Sequence, residues 1–427
     1  MIWLGIALVV LMAIAGAPLF AVLLAAAMLG FFSAEIELAI IPIELYRIVD
    51  TPLLVALPLF TFAGYVLTES NTSTRLVNLV QSVFGFMPSG LALVGFVACA
   101  VFTALTGASG VTIVALGALL LPALKQAGFS DRYATGLVTT SGSLGLLLVP
   151  SVPLILYGVI AQQMDVGPRF TIVQLFIAGV MPLLLMLGLL SAWTLWKHRG
   201  GAIPRVPFSR ARVWDAVKAA RWELPLPFVV LGGVFSGWFA VSEAAALTAF
   251  YVVLAQVVLY REVTIKQLPK IMVDAMVMVG GILLILGIAL AFTNFLVDAQ
   301  VPQALFAFMQ EYIESPLAFL LLLNILLLAL GAVLDIFSAI VIMVPLLLPV
   351  AVGYGIHPVH LGIIFLANMQ IGYFTPPIGM NLFIASYRFD RPVLEIYSAT
   401  LPFFFLLLAC VVAIAFWPDL SLWLVQK

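Results

Sequence analysis

Ser141-Gly-Ser-Leu-Gly-Leu-Leu-Leu-Val-Pro150 and, 227 residues later, Asn368-Met-Gln-Ile-Gly-Tyr-Phe-Thr-Pro-Pro377 are the two stretches on which the fold turns. Each lies inside a long apolar run, and each places Gly and Pro where an α-helix is interrupted. In this register Gly145 matches Gly372 and Pro150 matches Pro377; upstream, Pro122 matches Pro349 and Gly128 matches Gly355. A second broken run precedes each stretch. Leu91–Leu124 breaks at Thr106–Gly110, and Leu317–Val350 breaks near Leu334–Ser338. The arms on either side of these breaks are about 14–17 residues, roughly 21–25 Å, short of the ~30 Å hydrocarbon core. They read as two re-entrant hairpins, each followed by a broken helix.

Composition places these runs in lipid. Of 427 residues, 64% are hydrophobic and 9% are charged, where soluble domains carry about 25% charge. A soluble or disordered chain is excluded, and a net charge of −1 argues against nucleic-acid binding. Cys99 and Cys410 sit in apolar runs and read as packing residues, not as a disulfide or zinc site. Ile2–Phe32 is too long for a signal peptide and reads as a first membrane helix, with a kink at Gly16 and Pro18. No cofactor is expected.

Lys197, Arg199, Arg205, Arg210, Arg212, Lys218 and Arg221 crowd one loop, seven of the 18 basic residues, and mark it as cytoplasmic. The acidic loops Glu35–Glu44 and Asp298–Glu314 are placed outside. Ile36–Val49 and the amphipathic Arg75–Phe86 read as interfacial. Pro52–Leu67, Tyr133–Ile160, Thr171–Trp196, Pro225–Ala240, Ala244–Tyr260, Ile271–Leu296, His360–Tyr387 and Leu394–Trp417 read as further spans, two of them broken. An odd number of crossings then separates the two broken helices, which inverts the second copy. The fold class expected is an all-α polytopic membrane protein with inverted-topology repeats.

Inverted repeats with interrupted helices point to a secondary transporter. Broken helices free carbonyls that, with nearby hydroxyls, suit Na⁺, while half-helix amino ends suit anions. The first tip offers Thr103, Thr106, Gly107, Ser109, Gly110 and Thr112, and its facing break Thr139, Thr140, Ser141, Gly142, Ser143 and Gly145. The second tip offers Gly331, Asp335 and Ser338, and its break Asn368, Gln370, Gly372, Thr375, Pro376, Pro377 and Asn381. A single Ser or Thr in such a helix ordinarily bonds the preceding turn, so the clustering carries the argument. Asp335 has two readings, an ion ligand at bilayer depth and a helix N-cap. Glu243 reads as a cap, and His357 and His360 as residues of an external turn.

These residues carry a resemblance. Pro58-Leu-Phe with Ala63-Gly64, Gly107-Ala-Ser-Gly110, Ser141-Gly-Ser-Leu-Gly145 with Pro150-Ser-Val-Pro-Leu154, and Ser242-Glu-Ala-Ala-Ala246 follow one another in a family's order. So do Leu334-Asp-Ile-Phe-Ser338 through Pro349 and Ile371-Gly-Tyr-Phe-Thr-Pro-Pro-Ile-Gly-Met-Asn-Leu-Phe383. The chain resembles the large membrane subunit of tripartite ATP-independent periplasmic (TRAP) transporters, of the ion-transporter superfamily, over nearly its whole length. It departs at Gly110-Val111, where hydroxyls are common, and at Gln370, where glutamate is frequent.

The resemblance implies a Na⁺-coupled importer of an organic acid (a C4-dicarboxylate, sialic acid, another carboxylate or a sulfonate) in the bacterial inner membrane. It implies an elevator motion, a separate small membrane subunit and a periplasmic substrate-binding protein. Residues 91–165 and 316–390 would form the two transport-domain halves. Residues 1–90, 166–315 (with the loop 197–223) and 391–427 would form the scaffold. Sodium carries onto Ser109 with Gly145 and onto Asp335 with Gly372 and Thr375; Thr106, Gly107, Ser141, Ser143, Gly331 and Ser338 complete the candidate set. Substrate would lie between the tips, near Ser109, Ser143, Pro150, Asn368, Pro377 and Asn381. Two alternatives stand beside this: a stand-alone Na⁺/dicarboxylate symporter of the same superfamily, and an intramembrane serine protease using Gly107-Ala-Ser-Gly110. The protease lacks a histidine base within any span, and no phosphate-binding loop supports an ATP-driven pump.

Overall fold

The computed structural model describes residues 2–49, 51–87, 89–199, 207–313 and 315–425; Arg205 and Glu314 of the two loops lie outside them. Every regular element among the described residues is a helix. Seven stretches of these are long and apolar enough to cross a membrane, or up to nine if two sharply bent pairs count as spans.

The amino-terminal run departs from expectation. α1 (Ile2–Ile14) and α2 (Leu19–Ser33) are separate helices. Gly16 turns left-handed, at φ +78°, two residues before Pro18. A left-handed residue and a ring that cannot donate end a helix outright instead of bending it. The chain reverses, and Gly5 rests against Leu29. Ile2–Phe32 is thus an antiparallel hairpin and not one kinked span.

The next elements follow the sequence closely: α3 (Ile40–Val49), α4 (Ala56–Thr68) and α5 (Thr72–Phe84). The first hairpin is α6 (Gly90–Thr106) and α7 (Ser109–Gln126). Its broken helix is α8 (Asp131–Ser141), a 3₁₀ turn at Leu144–Leu147, and α9 (Val152–Gln163). Then come α10 (Ile172–Ala178), α11 (Val180–Lys197), α12 (Arg210–Ala219), α13 (Pro225–Phe235), α14 (Val241–Val253, extended by a π-helical stretch Leu254–Leu259) and α15 (Leu268–Asp298). The acidic segment read as a loop contains α16 (Val301–Tyr312). The second hairpin is α17 (Pro316–Gly331) and α18 (Ile336–Gly353), followed by α19 (Pro358–Gly372), α20 (Met380–Phe389), α21 (Val393–Phe416) and α22 (Asp419–Leu422).

A shift of 227 residues carries α7 onto α18 end for end. The packing is reciprocal: α7 lies on α20, and α18 lies on α9. At the centre, Ser143 donates to the carbonyl of Gln370, its own equivalent 227 residues away, at 3.1 Å. Both breaks also hold a cis peptide bond, before Pro150 and before Pro377.

Two groups of helices result. α6–α11 and α17–α22 form one buried core. α4, α14 and α15 pack together with α1–α3 as the other. Two flanking helices pack against the first group. α11 packs on α6 and α21, and α21 packs on α8, α11, α19 and α20. Both therefore lie against the hairpin core. The reason is the repeat itself, because α11 and α21 occupy equivalent places beside it. α5 bridges the groups, touching α4, α6, α7 and α12.

Candidate functional site

The helix breaks are built from groups that satisfy one another. α6 ends where Gly107, at φ +71°, returns its N–H to the carbonyl of Thr103, a left-handed cap that glycine adopts without penalty. The Thr103 hydroxyl bonds Thr112 at 2.7 Å and the freed carbonyl of Gly142 at 2.8 Å. In the second half, the carbonyl of Ala332 receives the N–H groups of Ile378 (3.3 Å) and Gly379 (2.9 Å). Asp335 caps α18, accepting from the Ser338 N–H at 2.9 Å and from its hydroxyl. Ala108 stands at the equivalent cap of α7, with no side-chain bond. The repeats are therefore chemically unequal at their tips.

Tip and break approach closely in both halves. A Cβ on Gly145 would lie 2.1 Å from the Ala100 carbonyl and 2.7 Å from the Ala104 N. A Cβ on Gly372 would lie 2.5 Å from Gly331 Cα. Gly331 is the repeat equivalent of Ala104, so one contact recurs in two settings.

The tips meet at a cavity of about 690 Å³. Gly107, Ala108, Ser109, Gly110 and Val111 line it from the first tip, Ile336 and Phe337 from the second. Tyr373 comes from the second break, Met380 and Phe383 from α20 just after it, and Leu146 from the first break. Thr68 of α4 and Met278 of α15 close it from the other helix group. The amino ends of α7, α18 and α20 all converge here. No Lys, Arg, Asp or Glu lines it. The polar side chains are Thr68, Ser109, Tyr373 and Tyr387. Ser109 donates to Asn381 Oδ1 at 2.8 Å, joining the first tip to the second break. Tyr373 accepts from the Ile336 N–H at 2.9 Å, joining the second tip to the same break.

The expected site residues divide accordingly. Gly107 and Ser109 line the cavity, and Asn381 stands directly behind Ser109. Ser141, Ser143, Gly145, Pro150 and Asn368 are buried behind it. Pro377 is exposed. Several hydroxyls bond their own helix: Thr106 to Phe102, Ser141 to Leu137, and Thr375 to Ile371. Asn368 holds Asn324 at 2.7 Å. Tyr373 was not singled out from the sequence, although it stands inside the quoted break; its signal was a phenol beside a helix interruption.

The histidines lie elsewhere. His357 caps α19, accepting from the Val359 N–H. His360 is not a surface residue: it is 2% exposed and bonds Ser421 at 2.6 Å and the Ala415 carbonyl at 3.3 Å. Glu243 reaches back to the Ala240 N–H as a cap. Ser109 thus has an amide as its partner and no base.

The family model described as "Tripartite ATP-independent periplasmic transporter, DctM component" matches residues 5–420. The chain belongs to the DctM family. It is 35% identical to the C4-dicarboxylate TRAP transporter large permease protein DctM of Rhodobacter capsulatus, over 92% of this chain and 91% of that one. It is 32% identical to the isethionate TRAP transporter permease protein DctMQ of Oleidesulfovibrio alaskensis, over 88% of this chain and 58% of that one. Among solved structures, the Alcanivorax borkumensis YdaH transporter shares the fold, with TM-score 0.61, 18% identity and coverage of 87% and 85%. A DctM-family chain is a multi-pass transporter permease and not an enzyme, which removes the protease reading.

Proposed function

We propose that this chain is the Na⁺-coupled membrane permease of an organic-acid importer. The observation that carries this reading is the convergence of three helix amino ends on one cavity without charged side chains. Each end carries about half a positive charge, so together they suit a carboxylate or sulfonate without a fixed cation. The Ser109 and Tyr373 hydroxyls add directional bonds. Sodium would lie beside each tip, at Ser109 with Gly145 and at Asp335 with Gly372 and Thr375. The Ala100 carbonyl beside Gly145 and the Gly331 carbonyl beside Gly372 support these positions, and the charge of Asp335 would make the second site the stronger.

Relatives named for C4-dicarboxylates and for isethionate support a small organic anion as the substrate. The hairpin core would move as the transport body against α1–α4 and α13–α15, by an elevator motion. A separate small membrane subunit and a periplasmic binding protein that delivers the substrate complete the transporter, in the bacterial inner membrane. The test is reconstitution of all three in liposomes. Uptake of the acid should require an inward Na⁺ gradient and the binding protein. Uptake indifferent to Na⁺ refutes the coupling, and full uptake by this chain alone favours the stand-alone symporter.

A further inference from the structure

α5 and α12 enclose a crevice of about 540 Å³ that has no place in the transport reading. Arg75, Asn78, Gln81 and Ser82 line it from α5, and Arg212 and Asp215 from α12. One wall is fixed by a buried ion cluster. Arg75 binds Glu223 at 2.8 Å and Glu262 at 3.1 Å, and stacks 3.9 Å over the Tyr260 ring. Gln256 and Thr72 also reach Glu223, at 3.3 and 3.2 Å. Arg75 is therefore neutralised by two carboxylates and holds the crevice open; it is not the binding group.

The free charge belongs to α12 and the turn that follows it. Among the described residues, no ion pair within 4.0 Å engages Arg210, Arg212, Lys218 or Arg221. Aromatic rings lie against two of these cations. Lys218 lies over Trp214 and Arg221 over Trp222. Phe208 meets Phe86 edge-on at 5.8 Å, yet both rings remain about half exposed, at 55% and 47%. Exposed rings among unpaired cations mark the membrane–water interface, where aromatic belts sit and basic residues meet anionic headgroups.

We propose that the α5–α12 crevice is a binding site for an anionic phospholipid of the cytoplasmic leaflet. Arg212 receives the phosphodiester, the Asn78 and Gln81 amides donate to its oxygens, and Phe86, Phe208 and Trp214 lie along the acyl chains. Arg210 and Lys218 supply the surrounding field. Asp215, also in the lining, disfavours a second negative charge and so selects a singly charged headgroup.

The experiment is native mass spectrometry of the full chain in detergent with an equimolar mixture of phosphatidylglycerol and phosphatidylcholine. Phosphatidylglycerol adducts should exceed phosphatidylcholine adducts about fivefold, the effect of one basic residue near an anionic surface. Arg212→Gln should bring the two to parity, Arg212→Lys should retain most of the preference, and Arg169→Gln, a distant exposed control, should change nothing. Arg212 is on the surface of α12, so these variants keep the fold, which the elution profile verifies. Equal binding of both lipids to the unaltered chain overturns the proposal, as does a preference that survives Arg212→Gln. Displacement of the lipid by free glycerol phosphate would show a water-soluble anion site and overturn the lipid assignment.

Discussion

Gly372→Ala puts the contact between the second tip and its facing break under load. Gly372 ends α19 with an ordinary negative φ, so alanine meets no backbone penalty there; only space matters. The added Cβ would sit 2.5 Å from Gly331 Cα, 2.6 Å from its carbonyl carbon and 3.0 Å from its oxygen. Carbon atoms rest about 3.5–4.0 Å apart, so α17 and α19 must separate by roughly 1 Å. All three obstructing atoms are backbone, and no rotamer change relieves them. Overpacking of this kind costs about 1–3 kcal/mol and should lower the thermal midpoint by a few degrees. The same displacement widens the second tip and should raise the Na⁺ concentration needed for half-maximal uptake. Gly280→Ala and Gly281→Ala in α15 are the controls, since neither Cβ has a neighbour within 4 Å. The assay is thermal unfolding in detergent beside uptake in liposomes. An unchanged midpoint for Gly372→Ala, or an equal loss in the α15 variants, refutes the packing argument.

Asp335→Ala should cost about 1 kcal/mol as a lost N-cap and abolish uptake while the protein still elutes as wild type. Asp335→Ser, which can cap but carries no charge, should restore the stability and not the transport; uptake by either variant removes the carboxylate from the mechanism. Glu262 supplies a pH prediction. Burial alone pushes its carboxyl up, but the Arg75 and Asn71 hydrogen bonds and the Arg75 charge hold it below the usual range. Its stabilisation is therefore complete above the unfolded carboxylate value, about 4.3, and is lost as pH falls through the lower folded value. The thermal midpoint of Glu262→Gln should vary less with pH across that acid window than that of the unaltered chain, and parallel curves would contradict this.

Gly and Pro made three of the four breaks legible, because they remove helix geometry or a donor wherever they stand; Leu334–Ser338 holds neither and showed as the polar Asp335 and Ser338 in an apolar run. Thr106–Gly110, Gly145–Pro153, Leu334–Ser338 and Gly372–Gly379 all coincide with interruptions between observed helices. The same letters misled at Gly16 and Pro18, where a kink and a full reversal share one signature. Only the contact of Gly5 with Leu29 tells them apart. The amphipathic α16 was concealed by the acidic residues in and around it, Asp298, Glu311 and Glu314.

By itself, the sequence determined that this chain lives in lipid, contains two related halves and interrupts each half twice. Those properties are local, written in hydropathy and in residues that break helices. Tertiary structure decided which polar groups share a cavity. Ser109 and Asn381 are 272 positions apart, and Arg75 and Glu223 are 148 apart. No spacing rule reaches that far, because such pairs are set by how helices pack and not by their periodicity. It also decided that Ser143, Asn368 and Gly145 stand behind the cavity, and that α11 and α21 lie against the core. A helix buried on several sides has the same apolar sequence as one facing lipid, so only its neighbours reveal which it is.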